Sequence, residues 1–170
     1  GVFVLNQQKK VIWQGLSEHP VKFIGQSSAD KIWIASKKGL NLINPNSFSL
    51  IALPEEDTSQ TPSFRDLYIY DGLIEHSSLW LATDKDGLIQ VDTEQNKIIK
   101  HYSSKNNVIS NKSIWSLAKK GDDLWLGYFY DGISRFNTKT NKNTQSVYHS
   151  QINYTIPYDN VSKMYFDQSG

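Results

Sequence analysis

The chain has no cysteine among its 170 residues. That removes disulfides, thiolate metal ligands and thiol nucleophiles together. Such a chain suits an oxidising compartment without disulfide staples as readily as a reducing one. An excess of one charge is missing too. Eighteen Lys and Arg face 17 Asp and Glu, for a net charge of +1. The signs are interspersed, so the electrostatic footprint of a nucleic-acid binder is absent. Apolar runs stop at about five residues, far below the roughly 20 that would span a bilayer as a helix. No signal-peptide pattern opens the chain. No segment carries a convincing amphipathic period of 3.6.

What is present is aromatic and repetitive. Seven Phe, nine Tyr and five Trp stand among many Asn, Gln, Ser, Thr and Lys, a mixture that favours strands joined by polar turns. The stretch GLIQVDTEQNK begins at Gly87 and returns as GLNLINPNS at Gly39, GISRFNTKTNK at Gly132 and GVFVLNQQKK at Gly1. A second motif precedes each internal copy: KIWIASKKG, SLWLATDKDG and DLWLGYFYDG, centred on Trp33, Trp80 and Trp125. Two further apolar runs flank these, one before (VKFIGQSSAD, DLYIYDGLIEHS, IWSLAKKGDD, VSKMYFDQSG) and one after (KVIWQ, SFSLIAL, KIIKHYS, TQSVYHS). Four short strands per roughly 45 residues is the arithmetic of a β-propeller blade.

The chemistry inside each unit agrees with that arithmetic. IWIAS and LWLAT are consecutively apolar, so both faces of that strand should be buried between neighbouring blades. Trp33, Trp80 and Trp125 are expected at equivalent, largely buried positions. Lys38-Gly39, Asp86-Gly87 and Asp131-Gly132 are hairpin signals, because Gly takes positive φ at little cost. NPNS, DTEQN and NTKTN should form Asx-type turns. The expected fold is therefore all-β: a propeller segment of four-stranded antiparallel blades, with a partial blade at 1–14, whole blades at 15–60, 61–108 and 109–155, and the first strand of another at 156–170. By this phase the chain is expected to be an excerpt, an open arc whose ends do not complete one blade.

AKKGDDLWLGYFYDGISRFN (Ala118 to Asn137) resembles the two-component regulator propeller repeat, followed by EHSSLWLATDKDGLIQVD and SADKIWIASKKGLNLIN. Ala35 and Ala82 depart from its usual small Gly, and Ser36 and Tyr128 from its Thr. The resemblance covers essentially the whole chain. It implies an extracytoplasmic, periplasmic sensor region of a hybrid histidine kinase or diguanylate cyclase, with membrane helix and output module outside this chain.

No constellation argues for catalysis. His19, His76, His101 and His149 fall in different units and never pair at metal-ligand spacing. No nucleophile elbow, Gly-rich phosphate loop or calcium loop occurs. No catalytic residue, metal or cofactor is expected, and the segment does not read as an enzyme. One loop breaks its own repeat. Where earlier units write SKK and TDKD, the third writes Tyr128, Phe129, Tyr130 and Asp131. Three aromatics in a hairpin turn need a partner, either a packing surface or a ligand. These four residues are the candidate ligand site, with the rings for stacking and Asp131 for orientation. The expected function is ligand sensing: a small ligand such as a carbohydrate shifts a receptor homodimer, with no nucleic acid involved and membrane contact only through outside segments. A propeller enzyme acting on polysaccharide and a structural protein-interaction propeller are the alternatives.

Overall fold

The computed structural model describes residues 1–16, 19–54, 61–106, 108–109, 113–147 and 160–167. Within them the chain is a succession of antiparallel strands with a single 3-10 turn at Ser104–Asn106. A two-stranded sheet comes first, β1 (Val2–Leu5) and β2 (Val11–Gly15). Three four-stranded meanders follow: β3 (Val21–Ser28) to β6 (Leu50–Ile51), β7 (Ile69–Glu75) to β10 (Lys97–Tyr102), and β11 (Ile114–Lys120) to β14 (Lys142–Val147). Within the meanders lie β4 (Lys31–Ser36), β5 (Gly39–Ile43), β8 (Ser78–Thr83), β9 (Leu88–Asp92), β12 (Asp123–Tyr128) and β13 (Ile133–Asn137). These are propeller blades. The first strands β3, β7 and β11 lie side by side along the inner edge of the arc, and the sheets stack face to face.

The stacking explains the consecutive apolar runs. On β8, Leu79 and Leu81 pack toward the first blade, in a core with Trp33, Leu42, Phe64, Leu67, Ile69 and Ile89. Trp80 and Ala82 point the other way, into a core with Leu117, Leu124, Leu126, Tyr128 and Phe136. A strand with two buried faces cannot alternate apolar with polar, and this one does not. Trp33 and Trp80 are fully buried, as expected, but Trp125 is only half-buried. Register places all three alike: Trp33 opposite Gly25 and Leu42, Trp80 opposite Leu73 and Gln90, Trp125 opposite Ala118 and Arg135. The difference lies in the cover. Trp125 faces outward from the third blade, where Phe166 meets its ring at 6.0 Å.

The turns repeat atom by atom. Asn44 Oδ1 accepts the Asn46 and Ser47 N–H groups, Asp92 Oδ1 those of Glu94 and Gln95, and Asn137 Oδ1 those of Lys139 and Thr140. Four residues after each of these acceptors, Phe48, Asn96 and Asn141 sit at φ 54°, 56° and 57°. The hairpin glycines Gly39 and Gly87 have φ 97° and 71°, a region that costs a residue with a Cβ. They are also pressed against the next blade. A Cβ on Gly39 would lie 2.6 Å from the Phe64 carbonyl oxygen, and one on Gly87 2.7 Å from Ile109 Cδ1.

The last expected strand differs. Asn160–Asp167 runs along the third blade without entering a ladder. The Val161 N–H donates to the Tyr128 carbonyl (3.0 Å), and Ser116 Oγ donates to the Val161 carbonyl. The described residues offer no second strand for it to pair with, so it follows the path of an inner strand without being one. At the other end β1 and β2 pair with each other alone among the described residues. The arc is open.

Candidate functional site

In a meander of this kind the hairpins joining second to third strands share a rim with the connections between blades. Each inner strand enters this rim through a β-bulge: the register slips between Val21 and Phe23, Ile69 and Asp71, and Ile114 and Ser116. The bulge leaves one residue unpaired and re-aims its side chain. Those residues are Lys22, Tyr70 and Trp115. Across from them, the first hairpin residue is Lys37 in the first blade, Asp84 in the second and Phe129 in the third. At positions where the repeat elsewhere writes the same residue, the rim writes cation, anion and aromatic rings.

The side chains meet in a row. Tyr68 and Tyr70 pack edge to face at 5.3 Å, and Tyr70 lies 5.0 Å from Trp115. Trp115 stacks on Phe129 at 4.3 Å and 14°, and Phe129 meets Tyr130 at 3.9 Å. Lys37 Nζ closes the far end, 4.9 Å from the Tyr68 ring centroid and 5.3 Å from that of Tyr70. Asp84 lies among them, its carboxylate accepting from Ser113 Oγ at 2.8 Å and its N–H donating to the Tyr68 carbonyl. The charges are felt locally. Hydrogen bonding with the Tyr68 hydroxyl holds the Lys37 ammonium above its ordinary pKa. Burial, then the Asp84 carboxylate, pushes the Tyr70 phenol up. Trp115 Nε1 is shielded from solvent with no hydrogen-bond acceptor among the described residues, an orphan donor of the kind native structures keep few of.

Beneath this row lies a charged crosslink. Asp71 is buried on β7. Its carboxylate accepts from the Leu117 N–H of β11 and from Lys163 Nζ, which approaches both oxygens at 2.9 Å. One carboxylate thereby ties the second blade's inner strand to the third and to the segment beyond. At the opposite end of the same strands, Glu75 pairs with Lys119 at 2.9 Å.

Of the four residues expected at the site, three lie on the rim and one does not. Phe129 is half-buried in the stack, Tyr130 is 68 % exposed, and Asp131 is half-buried in the hairpin. Tyr128 is 0 % exposed, at the end of β12, and its hydroxyl shares a 2.7 Å hydrogen bond with Ser134 Oγ. It belongs to the inter-blade core. Alternation accounts for this: Leu124, Leu126 and Tyr128 occupy every second position of one face. Tyr128 also stands where Thr83 braces the second hairpin, donating to the Gly87 carbonyl and accepting the Asp86 N–H. Without that hydroxyl, the third hairpin takes a different path, with Tyr130 at φ 69° and its N–H bonded to Asn160 Oδ1.

Tyr68, Tyr70, Trp115, Lys37, Asp84 and Asp71 were not legible as site residues. The signal for Lys37 and Asp84 was available, since they share the hairpin position of Phe129. The bulge that aims Tyr70 and Trp115 leaves no mark in an apolar run. Two open concavities lie along the first blade, one of about 460 Å³ that reaches the rim beside Val21 and Ser36 and includes His19, Lys38 and Asn41, and one of about 760 Å³ beneath Leu50–Pro54 that includes Ser63, Arg65 and Asp66. Neither is lined by a ring of the aromatic row.

No protein-family signature matches the chain, and no curated protein sequence matches it. Solved structures match it in fold. The extracellular domain of the one component system BT4673 from B. thetaiotaomicron superposes with a TM-score of 0.71 at 18% identity, over 95% of this chain and 22% of that one. The extracellular domain of the hybrid two component system BT3049 from the same organism gives 0.65 at 16% identity, over 85% of this chain and 20% of that one. The computationally designed Ika4 protein gives 0.64 at 10% identity, over 92% of this chain and 89% of that one. The chain thus spans about a fifth of the two extracellular domains. The fold likeness and the resemblance of the repeats point to the same kind of structure.

Proposed function

We propose that this chain is part of the extracytoplasmic sensor propeller of a bacterial transmembrane signalling receptor, and that its rim takes a small ligand. The observation that carries the reading is the continuous row Tyr68, Tyr70, Trp115, Phe129 and Tyr130, assembled from two blades, closed at one end by Lys37 of the first blade, with Asp84 alongside. Tyr130, 68 % exposed at the end of the stack, presents a ring that suits a flat or ring-shaped ligand such as a carbohydrate. The fold neighbours, extracellular domains of one component and hybrid two component systems, support the sensor reading and the extracytoplasmic location.

Binding is favoured over chemistry by the pairing of charges. Asp71 and Lys163 neutralise one another, and catalysis by general acid and base would need titratable groups turned toward a substrate rather than toward each other. Signalling then requires that the ligand bind one receptor state more tightly than the other, because equal affinity shifts nothing. A rim that spans blade boundaries is suited to this, since a ligand lying across Tyr70 and Phe129 senses the angle between blades. The receptor dimer would carry the change to the output module.

The test is the intact receptor's output with Phe129 and Tyr130 both changed to Ser. Loss of response to a saccharide panel, with surface expression and melting temperature unchanged, is the expected result. An unaltered response would remove the rim from sensing.

A further inference from the structure

The far end of the row differs from its middle. Tyr70, Trp115, Phe129 and Tyr130 present ring to ring, but Tyr68 and Tyr70 meet at 61° and form a corner. That corner already holds a cation, the Lys37 ammonium, within 5.3 Å of both ring centroids. A carboxylate, Asp84, stands on the same rim beyond ion-pair distance of that ammonium, bonded to Ser113 by its side chain and to the Tyr68 carbonyl by its N–H. Two aromatic rings about an ammonium, with a carboxylate on the same rim, are the elements with which proteins bind organic cations.

We infer that the Tyr68–Tyr70–Asp84 corner is a subsite for an organic ammonium group, and that Lys37 occupies it in the ligand-free protein as an internal surrogate. The inference rests on the reading of the rim as a ligand site and names the chemistry of one end of it. Lys37 can vacate the corner because it sits at the first turn position of an exposed hairpin, on a flexible stem of four carbons. The rings and Asp84 cannot leave. Tyr70 is pinned by Trp115, and Asp84 by its own N–H bond to the Tyr68 carbonyl and by Ser113. A ligand whose ammonium displaces Lys37 would lay its remaining atoms along Trp115 and Phe129. Displacement would also free the first-blade hairpin from the second blade, coupling occupancy to the contact between them.

The same geometry makes the alternatives readable. If Lys37 were instead there to receive an anion, removing it would weaken anion binding and create no affinity for a cation. If the corner were packing alone, removing the lysine would create no affinity for a cation.

The experiment uses tetramethylammonium chloride as probe, sodium chloride at equal ionic strength as control, and neopentyl alcohol as neutral isostere. Binding is followed by the Trp115 indole N–H resonance of the chain, assigned with Trp115→Phe. Lys37→Met, with Lys37→Gln as a second variant, should bind tetramethylammonium about tenfold more tightly than the parent, the scale of one partly desolvated cation–π contact. Adding Asp84→Asn should reverse most of the gain. Equal response of parent and both Lys37 variants, or equal shifts with neopentyl alcohol, would overturn the inference. In that case saccharide binding at Phe129 and Tyr130 would still stand by itself. Loss of all ligand response along the row would instead remove the rim reading beneath it.

Discussion

Truncating Trp80 to Ala tests the inter-blade packing with a magnitude set by the structure. The indole is 2 % exposed between the second and third blades, 6.2 Å from the Tyr102 ring and 5.9 Å from that of Phe136. Burying about 200 Å² at about 25 cal/mol per Å² stabilises by ~5 kcal/mol. Trp80 Nε1, however, has no acceptor among the described residues, and losing a buried unsatisfied donor returns about 1–3 kcal/mol. The net cost of Trp80→Ala should be about 2–4 kcal/mol, at the lower end for core tryptophans or below it. Trp33 supplies the control, because its Nε1 donates to Ser27 Oγ at 2.9 Å. Phenylalanine at each site separates packing from hydrogen bonding, and Trp33→Phe should cost about 1 kcal/mol more than Trp80→Phe. Urea unfolding followed by far-ultraviolet circular dichroism reads both as midpoint shifts. A Trp80→Ala midpoint equal to the parent's would refute the stacked-blade arrangement. A Trp80→Phe cost above that of Trp33→Phe would refute the hydrogen-bond reasoning.

Gly87→Ala should destabilise by about 1–3 kcal/mol, because φ 71° strains a Cβ that also meets the Tyr102 carbonyl and Ile109; an unchanged melting curve would show that the hairpin relaxes freely. Burial pushes the Tyr102 phenol up to about 12, so its stabilising effect is fully present below the ordinary value near 10 and is lost as pH rises from there toward 12. A spectrophotometric titration should show late tyrosinates, that of Tyr102 accompanied by alkaline unfolding, and Tyr102→Phe should remove that step while leaving the raised Tyr70 phenol in place. Lys163→Ala should cost about 3–5 kcal/mol, since it leaves the buried Asp71 carboxylate without its cation; Asp71→Ala should cost less, about 1–3 kcal/mol, because the half-exposed Lys163 ammonium returns to solvent and the Leu117 N–H is the group left unpaired.

The blades were legible because their chemistry repeats. Consecutive apolar residues announced two buried faces, glycines marked the hairpins, and Asn44, Asp92 and Asn137 marked the Asx turns. The rim was legible only where it broke the pattern at Phe129 and Tyr130. Tyr128 was drawn into that loop by its aromatic neighbours, although the alternation Leu124, Leu126, Tyr128 assigns it to the core. Tyr70 and Trp115 were hidden by bulges, which shift a strand's phase without changing its composition. Asp71 lay inside a strand and was missed because its partners, Leu117 and Lys163, are 46 and 92 residues away. Trp125 read like its two equivalents and differs only through what covers it, which no single blade records.

The central claim is that the rim where the repeat diverges binds ligand, while the opposite rim only turns the chain. A titration of the isotopically labelled chain with a panel of saccharides and organic amines, followed residue by residue in the amide spectrum, tests it most directly. Shifts should gather at Lys37, Tyr68, Tyr70, Asp84, Ser113, Trp115, Phe129 and Tyr130. Shifts confined to the opposite hairpins, at Ser28–Lys31, Glu75–Ser78 and Lys120–Asp123, or none from any compound, would contradict it.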